Sequence, residues 1–339
     1  MSGHERNRPT KRSDMSAIAT YGLSKTFKSL GKASVHSVTD IDLNVEENEV
    51  FGFLGRNGAG KTTTIKLLTG LIKPTKGSAA LLGVDTRLPD ARRMVGYLPE
   101  QPYFYEYLTP KETIEFYGRL RGLCIKERRS EWERISELLD LRDIADRRIR
   151  GFSKGMRQRV GFAVALVGDP PLLILDEPMS GLDPLGRRMI RELILQLRDR
   201  GKTIFFSSHV LSDVEEICAR VGILVAGRLA ACDHITKLVG DVPKSVEICA
   251  TGLDDVSCGK LSDFGATCEA QKEGGHRLVV KDTATANRLV AEIGRLGGTL
   301  LSMHPTQESL EDFFTHIQDS ALVSLPNDKI AATIAAAEE

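Results

Sequence analysis

No stretch of this chain approaches the ~20 consecutive apolar residues that a helical membrane span needs, so the sequence offers no candidate span. Net charge is missing too: 46 basic residues face 46 acidic ones. No overall field then draws the protein to nucleic acid or acidic lipid, and no nucleic-acid partner is expected. The six cysteines (124, 218, 232, 249, 258 and 268) include no C-x-x-C pair and no metal-ligand spacing. That excludes a disulfide scaffold and a zinc module, and the cysteines read as reduced thiols of a cytosolic protein. Residues 1–15 carry Arg6, Arg8, Lys11 and Arg12 but no apolar centre. They are not a secretory leader and are expected to form a disordered basic tail.

What remains is ordinary for a globular chain, with 41% hydrophobic and 27% charged residues, and its length of 339 suggests about two domains. The informative stretch is residues 55–62, GRNGAGKT, which fits the phosphate-binding pattern G-x-x-x-x-G-K-[ST]. It has the context the motif demands. The apolar run VFGFL at 50–54 reads as a buried strand, and TIKLLT at 64–69 as the start of a helix. Gly55, Gly58 and Gly60 let successive backbone N–H groups turn inward toward phosphate oxygens, and the helix adds its positive end. Lys61 is expected to reach the β- and γ-phosphates and the Thr62 hydroxyl to hold Mg²⁺. The residues expected to touch nucleotide are therefore Gly55, Arg56, Asn57, Gly58, Ala59, Gly60, Lys61, Thr62 and Thr63.

Upstream, residues 17–21 suggest an edge strand, and Val38, Ile41, Leu43 and Val45 alternate with polar neighbours as in a half-buried antiparallel strand. Phe27 is either a core ring or a ring that stacks on adenine. Downstream, residues 79–82 and 94–98 read as strands. Four of the six tyrosines then fall between 103 and 117, with Phe104 and Phe116 beside them. This aromatic cluster is either an interface anchor or a small satellite core. Residues 111–149 look helical, with a charged, solvated middle. Ser153 is placed as the N-cap of the next helix, and Gly155 leaves the backbone open, a second site for an anion.

The run LLIL at 172–175 reads as a central parallel strand, and it ends in Asp176 and Glu177. Neighbouring side chains on a strand point opposite ways. One acid can then face a Mg²⁺ shell and the other an attacking water. Burying both without such a task would be costly. Asp183 and Pro184 start another helix, and the apolar strand 203–208 ends at His209. The glycine loop, the acids and His209 all follow the carboxyl ends of apolar strands, where open α/β sheets build their sites.

Taken together, these motifs resemble the ATP-binding subunit of ABC transporters over roughly residues 17–235. Residues 55–62 match the Walker A loop, 172–177 the Walker B strand, 152–159 the signature motif, 180–184 the D-loop, and His209 the switch histidine. The resemblance implies a P-loop NTPase core (residues 16–235) with an antiparallel β subdomain and a helical subdomain at about 101–168. It implies two such domains dimerising head to tail, with Ser153 and Gly155 of one closing on the γ-phosphate held by the other. Asp183 of the D-loop is counted among the nucleotide-contacting residues. By the same resemblance Glu177 polarises the attacking water, Asp176 holds Mg²⁺, and His209 contacts the γ-phosphate; Glu177, His209 and Lys61 form the catalytic set.

Three positions depart from the family pattern. The signature reads FSKGM, which keeps Ser153 and Gly155 and adds Lys154. The Q-loop position falls on Glu100, the candidate metal contact, with Gln101 one residue later. The stacking aromatic appears as Phe27. The signature and its neighbouring loop look like the bacterial exporter branch that includes antibiotic-resistance and Nod-factor export ATPases. Residues 240–317 are expected to form a small α+β domain in the order β-α-β-β-α-β, and residues 318–339 a mobile tail. The expected function is ATP-driven export through a separate integral membrane permease, on the cytoplasmic face of the plasma membrane, by a pair of subunits that is expected to be a homodimer. The alternative is a soluble ABC ATPase of translation, repair or cluster assembly. Only one glycine loop is present, and no long coiled-coil insertion separates it from Ser153, which leaves cluster assembly as the main competitor.

Overall fold

The structure, a computed structural model, describes residues 16–28, 34–240, 245–262, 264–270, 275–306 and 309–323. The expected basic tail (1–15) and residues 324–339 lie outside them. The chain divides into two compact units, His234–Ile317 and the remainder.

In the first unit, strands β1 (Ser16–Phe27), β2 (Val35–Glu46), β4 (Lys76–Leu81) and β5 (Val84–Asp85) form an antiparallel sheet in the order β2-β1-β4-β5. The expected edge strand at 17–21 is therefore an inner one, and longer. Ala17, Ile18, Thr20 and Leu23 are buried along it, and both sides of the strand find partners. The apolar positions of β2 do not alternate evenly, since Val38 and Ile41 lie three apart. Asp40 absorbs the extra residue with φ 56°, a left-handed backbone that aspartate tolerates better than most side chains. Its N–H donates to Ser24 Oγ at 2.9 Å, and the β1–β2 register shifts nearby.

A second sheet is built from β3 (Val50–Leu54), β6 (Val95–Leu98), β7 (Leu172–Leu175), β8 (Thr203–Ser208), β9 (Arg220–Val225) and β10 (Arg228–His234). Its order is β10-β9-β3-β8-β7-β6, and the pairs β9-β3, β3-β8, β8-β7 and β7-β6 are parallel. Parallel strands buried on both faces should read as continuous apolar runs, and β3, β7 and β8 are buried throughout. Phe51 and Phe205 stack with centroids 5.8 Å apart, and Phe53 packs on Phe205 at 5.3 Å. These rings lock β3 to β8, the neighbours that carry the glycine loop and His209.

Helices α1 (Lys61–Leu68), α2 (Pro89–Arg93), α3 (Pro110–Leu120), α4 (Ile125–Leu138), α5 (Lys154–Leu166), α6 (Pro184–Asp199) and α7 (Leu211–Ile217) connect the strands. The single helical stretch expected over 111–149 is two helices followed by short 3₁₀ turns. Gly122, with φ 80°, ends the first, and a reciprocal Thr109–Glu112 capping box starts it.

In the second unit α8 (Ile235–Val239) precedes β11 (Ser245–Thr251), α9 (Asp255–Ser262), β12 (Thr267–Ala270), β13 (Gly275–Val280), α10 (Thr283–Arg295), β14 (Thr299–Thr306) and the start of α11 (Leu310–Val323). The strands form an antiparallel sheet in the order β12-β13-β11-β14. Ala286, Leu289 and Ile293, spaced on one face of α10, are buried with Val246, Ile248 and Leu278 of the sheet. The first six residues of the expected mobile tail, 318–323, continue α11. No glycine or proline interrupts residues 309–323, and α11 runs on through Val323.

Two glycines give opposite expectations. A Cβ on Gly96 of β6 would collide with the Ala165 carbonyl of α5, so Gly96→Ala should destabilise by about 1–3 kcal/mol. Gly294 of α10 is exposed and has open space at its Cβ position, so Gly294→Ala should stabilise by about 0.5–1 kcal/mol. Denaturant melts of the two variants check both signs, and a neutral Gly96→Ala would contradict the close β6–α5 packing.

Candidate active site

Strand β3 ends at Leu54, β7 at Leu175 and β8 at Ser208, side by side and parallel. Their carboxyl ends therefore deliver the glycine loop, the two acids and His209 to one edge of the sheet. A cleft of about 530 Å³ opens there, lined by Arg56, Asn57, Lys61, Thr62, Glu177 and His209 among others. Gly58, Gly60 and Thr63 also face it, as does Glu100. Gly55 and Ala59 lie in the loop behind: Ala59 N–H donates to Arg56 O at 3.1 Å, and a Cβ on Gly55 would meet the Leu224 carbonyl at 2.8 Å.

Helix α1 starts at this cleft from Gly60, whose φ of 108° favours glycine. No side chain caps it and no acid sits in its first turn. Its leading N–H groups and dipole are thus available to an anion. Lys61, buried, donates to Gly55 O at 2.6 Å and lies 3.2 Å from Glu177 Oε1. The other carboxylate oxygen of Glu177, Oε2, is 2.8 Å from His209 Nδ1. A carboxylate accepts, so Nδ1 carries the hydrogen of this contact.

The strand alternation expected for the acid pair stops at Leu175. Glu177 has φ 48°, so the chain turns through the left-handed region and both acids stay buried, at 1% and 7% exposure. Asp176 Oδ1 accepts from Ser207 Oγ at 2.7 Å and from Thr62 Oγ1 at 3.4 Å, while Oδ2 is buried without a hydrogen-bond partner. Burial raises the Asp176 carboxyl above its ordinary range, and the hydroxyls of Ser207 and Thr62 work against that rise. Tyr97 on β6 is pushed up to about 12 by burial and then by the charge of Asp176. The free Oδ2 of Asp176 and the Thr62 hydroxyl are oxygen ligands, which suit a hard divalent cation such as Mg²⁺. Among the described residues no group of three or more His, Cys, Asp or Glu forms a self-contained metal site. A cation here would complete its shell with phosphate oxygens or water.

The other expected residues lie elsewhere. Ser153 caps α5 by accepting from Met156 N–H at 3.3 Å, and Asp183 caps α6 by accepting from Gly186 N–H at 2.8 Å. With Gly155 they line a second hollow of about 550 Å³, beside the apolar side chains of Leu182, Leu185 and Met189. It shares no lining residue with the first cleft. Lys154 lies across Gly181 of the D-loop. Phe27 does not line the first cleft; its ring is exposed on β1, with Lys25 Nζ 5.1 Å from the centroid. Glu100 lines the cleft, and Gln101 is exposed outside it.

Sequence reasoning missed Ser37 and Ser207. Ser37 Oγ donates to Thr63 Oγ1 at 2.9 Å and lines the cleft. Both serines reach the site from strands distant in sequence, and neither belongs to a local motif. Buried Gln158 of α5, which donates to Pro178 O at 2.7 Å, ties the signature helix to the segment after the acids. Its place inside the signature was the available signal.

A phosphate loop, an uncapped helix start, a lysine and a buried acid pair on one parallel sheet define a P-loop nucleoside triphosphatase. The comparisons with known proteins narrow this. The family model described as ABC transporter matches residues 38–180. An ABC transporter ATP-binding protein of Nostoc sp. is 40% identical over 312 residues, 90% of this chain and 90% of the relative. The bacitracin transport ATP-binding protein of Bacillus licheniformis is 34% identical over 316 residues, 88% of this chain and 96% of the relative. A dimeric ATP-binding cassette solved in a post-hydrolysis state with ADP and phosphate is 25% identical, covering 64% of this chain and 98% of that one with a TM-score of 0.59. The chain belongs to the ATP-binding subunits of ABC transporters, ATPases that dimerise and work with membrane permeases.

Lys61 is the one cation buried among the phosphate-facing residues described above. Lys61→Ala should weaken ATP binding roughly 10–100-fold, the loss of charge-assisted hydrogen bonds. Calorimetric titration measures it, and an unchanged affinity would remove Lys61 from the phosphate site.

Proposed function

We propose that this chain is the ATP-hydrolysing subunit of an exporter, that it acts as a head-to-tail pair of identical copies, and that it drives a separate membrane permease. The observation that carries this reading is the separation of the two clefts. The loop, Glu177 and His209 face one, with Asp176 buried beside Thr62, while Ser153, Gly155 and Asp183 face another, so a second copy is needed to bring a capped helix start onto bound triphosphate. The dimeric relative solved with ADP and phosphate supports that arrangement. The bacitracin transport protein, matched along nearly its whole length, supports export. Among the described residues no helix is long and apolar enough to cross a membrane. The subunit then sits at the cytoplasmic face of the plasma membrane through its permease.

In this reading ATP is the substrate. The loop N–H groups and Lys61 bind its β- and γ-phosphates and offset their charge. Thr62 and Asp176 would hold Mg²⁺, with Glu100 near, and the ion would supply charge neutralisation on the phosphate oxygens. Glu177 accepts a hydrogen bond from the attacking water and orients it. His209, its Nδ1 hydrogen held by Glu177, contacts the γ-phosphate by donating from Nε2–H to a phosphate oxygen. Ser153 and Gly155 of the second copy close the site and exclude bulk water.

The aromatic loop divides as an interface anchor would. Phe104 is buried, while Tyr103 is 90% exposed and Tyr105 and Tyr107 project with it. Tyr105 packs edge-on against Phe116 at 5.4 Å. We assign this loop to the permease contact.

Two experiments test the reading. Glu177→Gln should bind ATP, dimerise and stall, seen as an ATP-dependent dimer by light scattering with turnover abolished; full turnover would remove Glu177 from catalysis. A photo-cross-linker at Tyr103 should capture the permease in membranes, and capture confined to other faces would relocate the contact.

A further inference from the structure

Ser207 has 0% exposure and stands one residue past the last register pair of β7 and β8, Leu175 with Phe206. Beyond that pair the β7 chain leaves the ladder. Asp176 N–H donates to Leu98 O on the β6 side at 2.8 Å, and Glu177 enters the left-handed region. A non-glycine residue holds such a conformation only when its surroundings over-determine it. Glu177 N–H, turned away from strand geometry, donates to Ser207 Oγ at 2.9 Å. The same Oγ gives its own proton to Asp176 Oδ1 at 2.7 Å. Polarity fixes both directions, since an amide can only donate and a carboxylate accepts. One shielded hydroxyl therefore holds the main chain of one acid and the side chain of its neighbour. Asp176 is left with Oδ2 unpartnered, and the Glu177 carboxylate is left to Lys61 and His209.

We propose that Ser207 is the positioning residue of the acid pair, one hydroxyl that sets the Asp176 carboxylate and the Glu177 turn together. Strand β8 does not need that hydroxyl for its own fold, since its centre is Ile204, Phe205 and Phe206, all at 0% exposure. Without it Glu177 N–H becomes a buried donor with no acceptor, and the left-handed turn loses the bond that opposes its relaxation. Both carboxylates then drift from the phosphate cleft.

The inference rests on reading Asp176 and Glu177 as the acids of ATP hydrolysis. The test uses the full chain with Ser207→Ala, Ser207→Thr and Ser207→Val, beside Glu177→Gln. Turnover and KM are measured, and ADP binding is titrated by calorimetry with and without Mg²⁺. Ser207→Ala should lower kcat roughly 10–100-fold, the usual cost of losing a residue that orients a metal or catalytic ligand. Metal-free ADP affinity should stay unchanged, while the gain in affinity on adding Mg²⁺ shrinks. Ser207→Thr keeps the hydroxyl and should recover most of both losses; Ser207→Val, of the same shape, should not. A Ser207→Ala turnover within about twofold of the parent, or equal turnover of the Thr and Val variants, overturns the proposal. The Thr and Val pair decides it even where the alanine variant fails to fold. Full turnover of Glu177→Gln would instead overturn the reading of the acids themselves.

Discussion

Two carboxylates buried side by side lose their hydration and repel each other, and both costs must be met locally. Here Asp176 and Glu177 meet them with different partners. Asp176 takes the hydroxyls of Ser207 and Thr62, and Glu177 is clasped between Lys61 and His209. Those four partners come from three other places in the chain: the helix after β3, the end of β8, and the loop beyond it. The pair can exist only if the strand order β3-β8-β7 is kept and all three strands end on the same edge. The packed rings of Phe51, Phe53 and Phe205 hold β3 against β8, and β8 pairs in parallel with β7.

In the proposed pair, the same rigidity leaves the signature half of each chain to serve the site of the other. Ser153 and Asp183 each spend a side-chain oxygen on capping their own helix, α5 and α6, and both starts face the second hollow. Gln158 fixes α5 to the segment that follows the acids, so the signature helix and the acid pair are mechanically joined within a chain while their anion-binding surfaces stay apart. In the proposed pair, that arrangement would let phosphate binding on one copy be felt by the other.

Much of this was legible in the sequence, for local reasons. The glycine loop, the acids after LLIL, Ser153, Asp183 and His209 all sit at the boundary of a helix or strand whose own pattern announces it. Glu100 was located by counting from Val95 and Gly96, and it does face the cleft. What failed depended on contacts distant in sequence or on backbone exceptions. Ser207 meets Asp176 across 31 positions and Ser37 meets Thr63 across 26, and serine alone signals neither. Positive φ at Asp40 and Glu177 broke the two-residue period that strand reasoning assumes.

The central claim is that each copy supplies half of every site. Mixing two inactive variants tests it most directly. Lys61→Ala disables the loop half, and Gly155→Asp puts a negative charge into the signature half, where the backbone has room for a side chain. A mixed pair carries both defects in one site and none in the other. ATP turnover of the mixture well above the sum of the separate preparations is the predicted result. A mixture as inactive as its components, with mixed pairs shown to form, would mean that the two halves do not meet across copies.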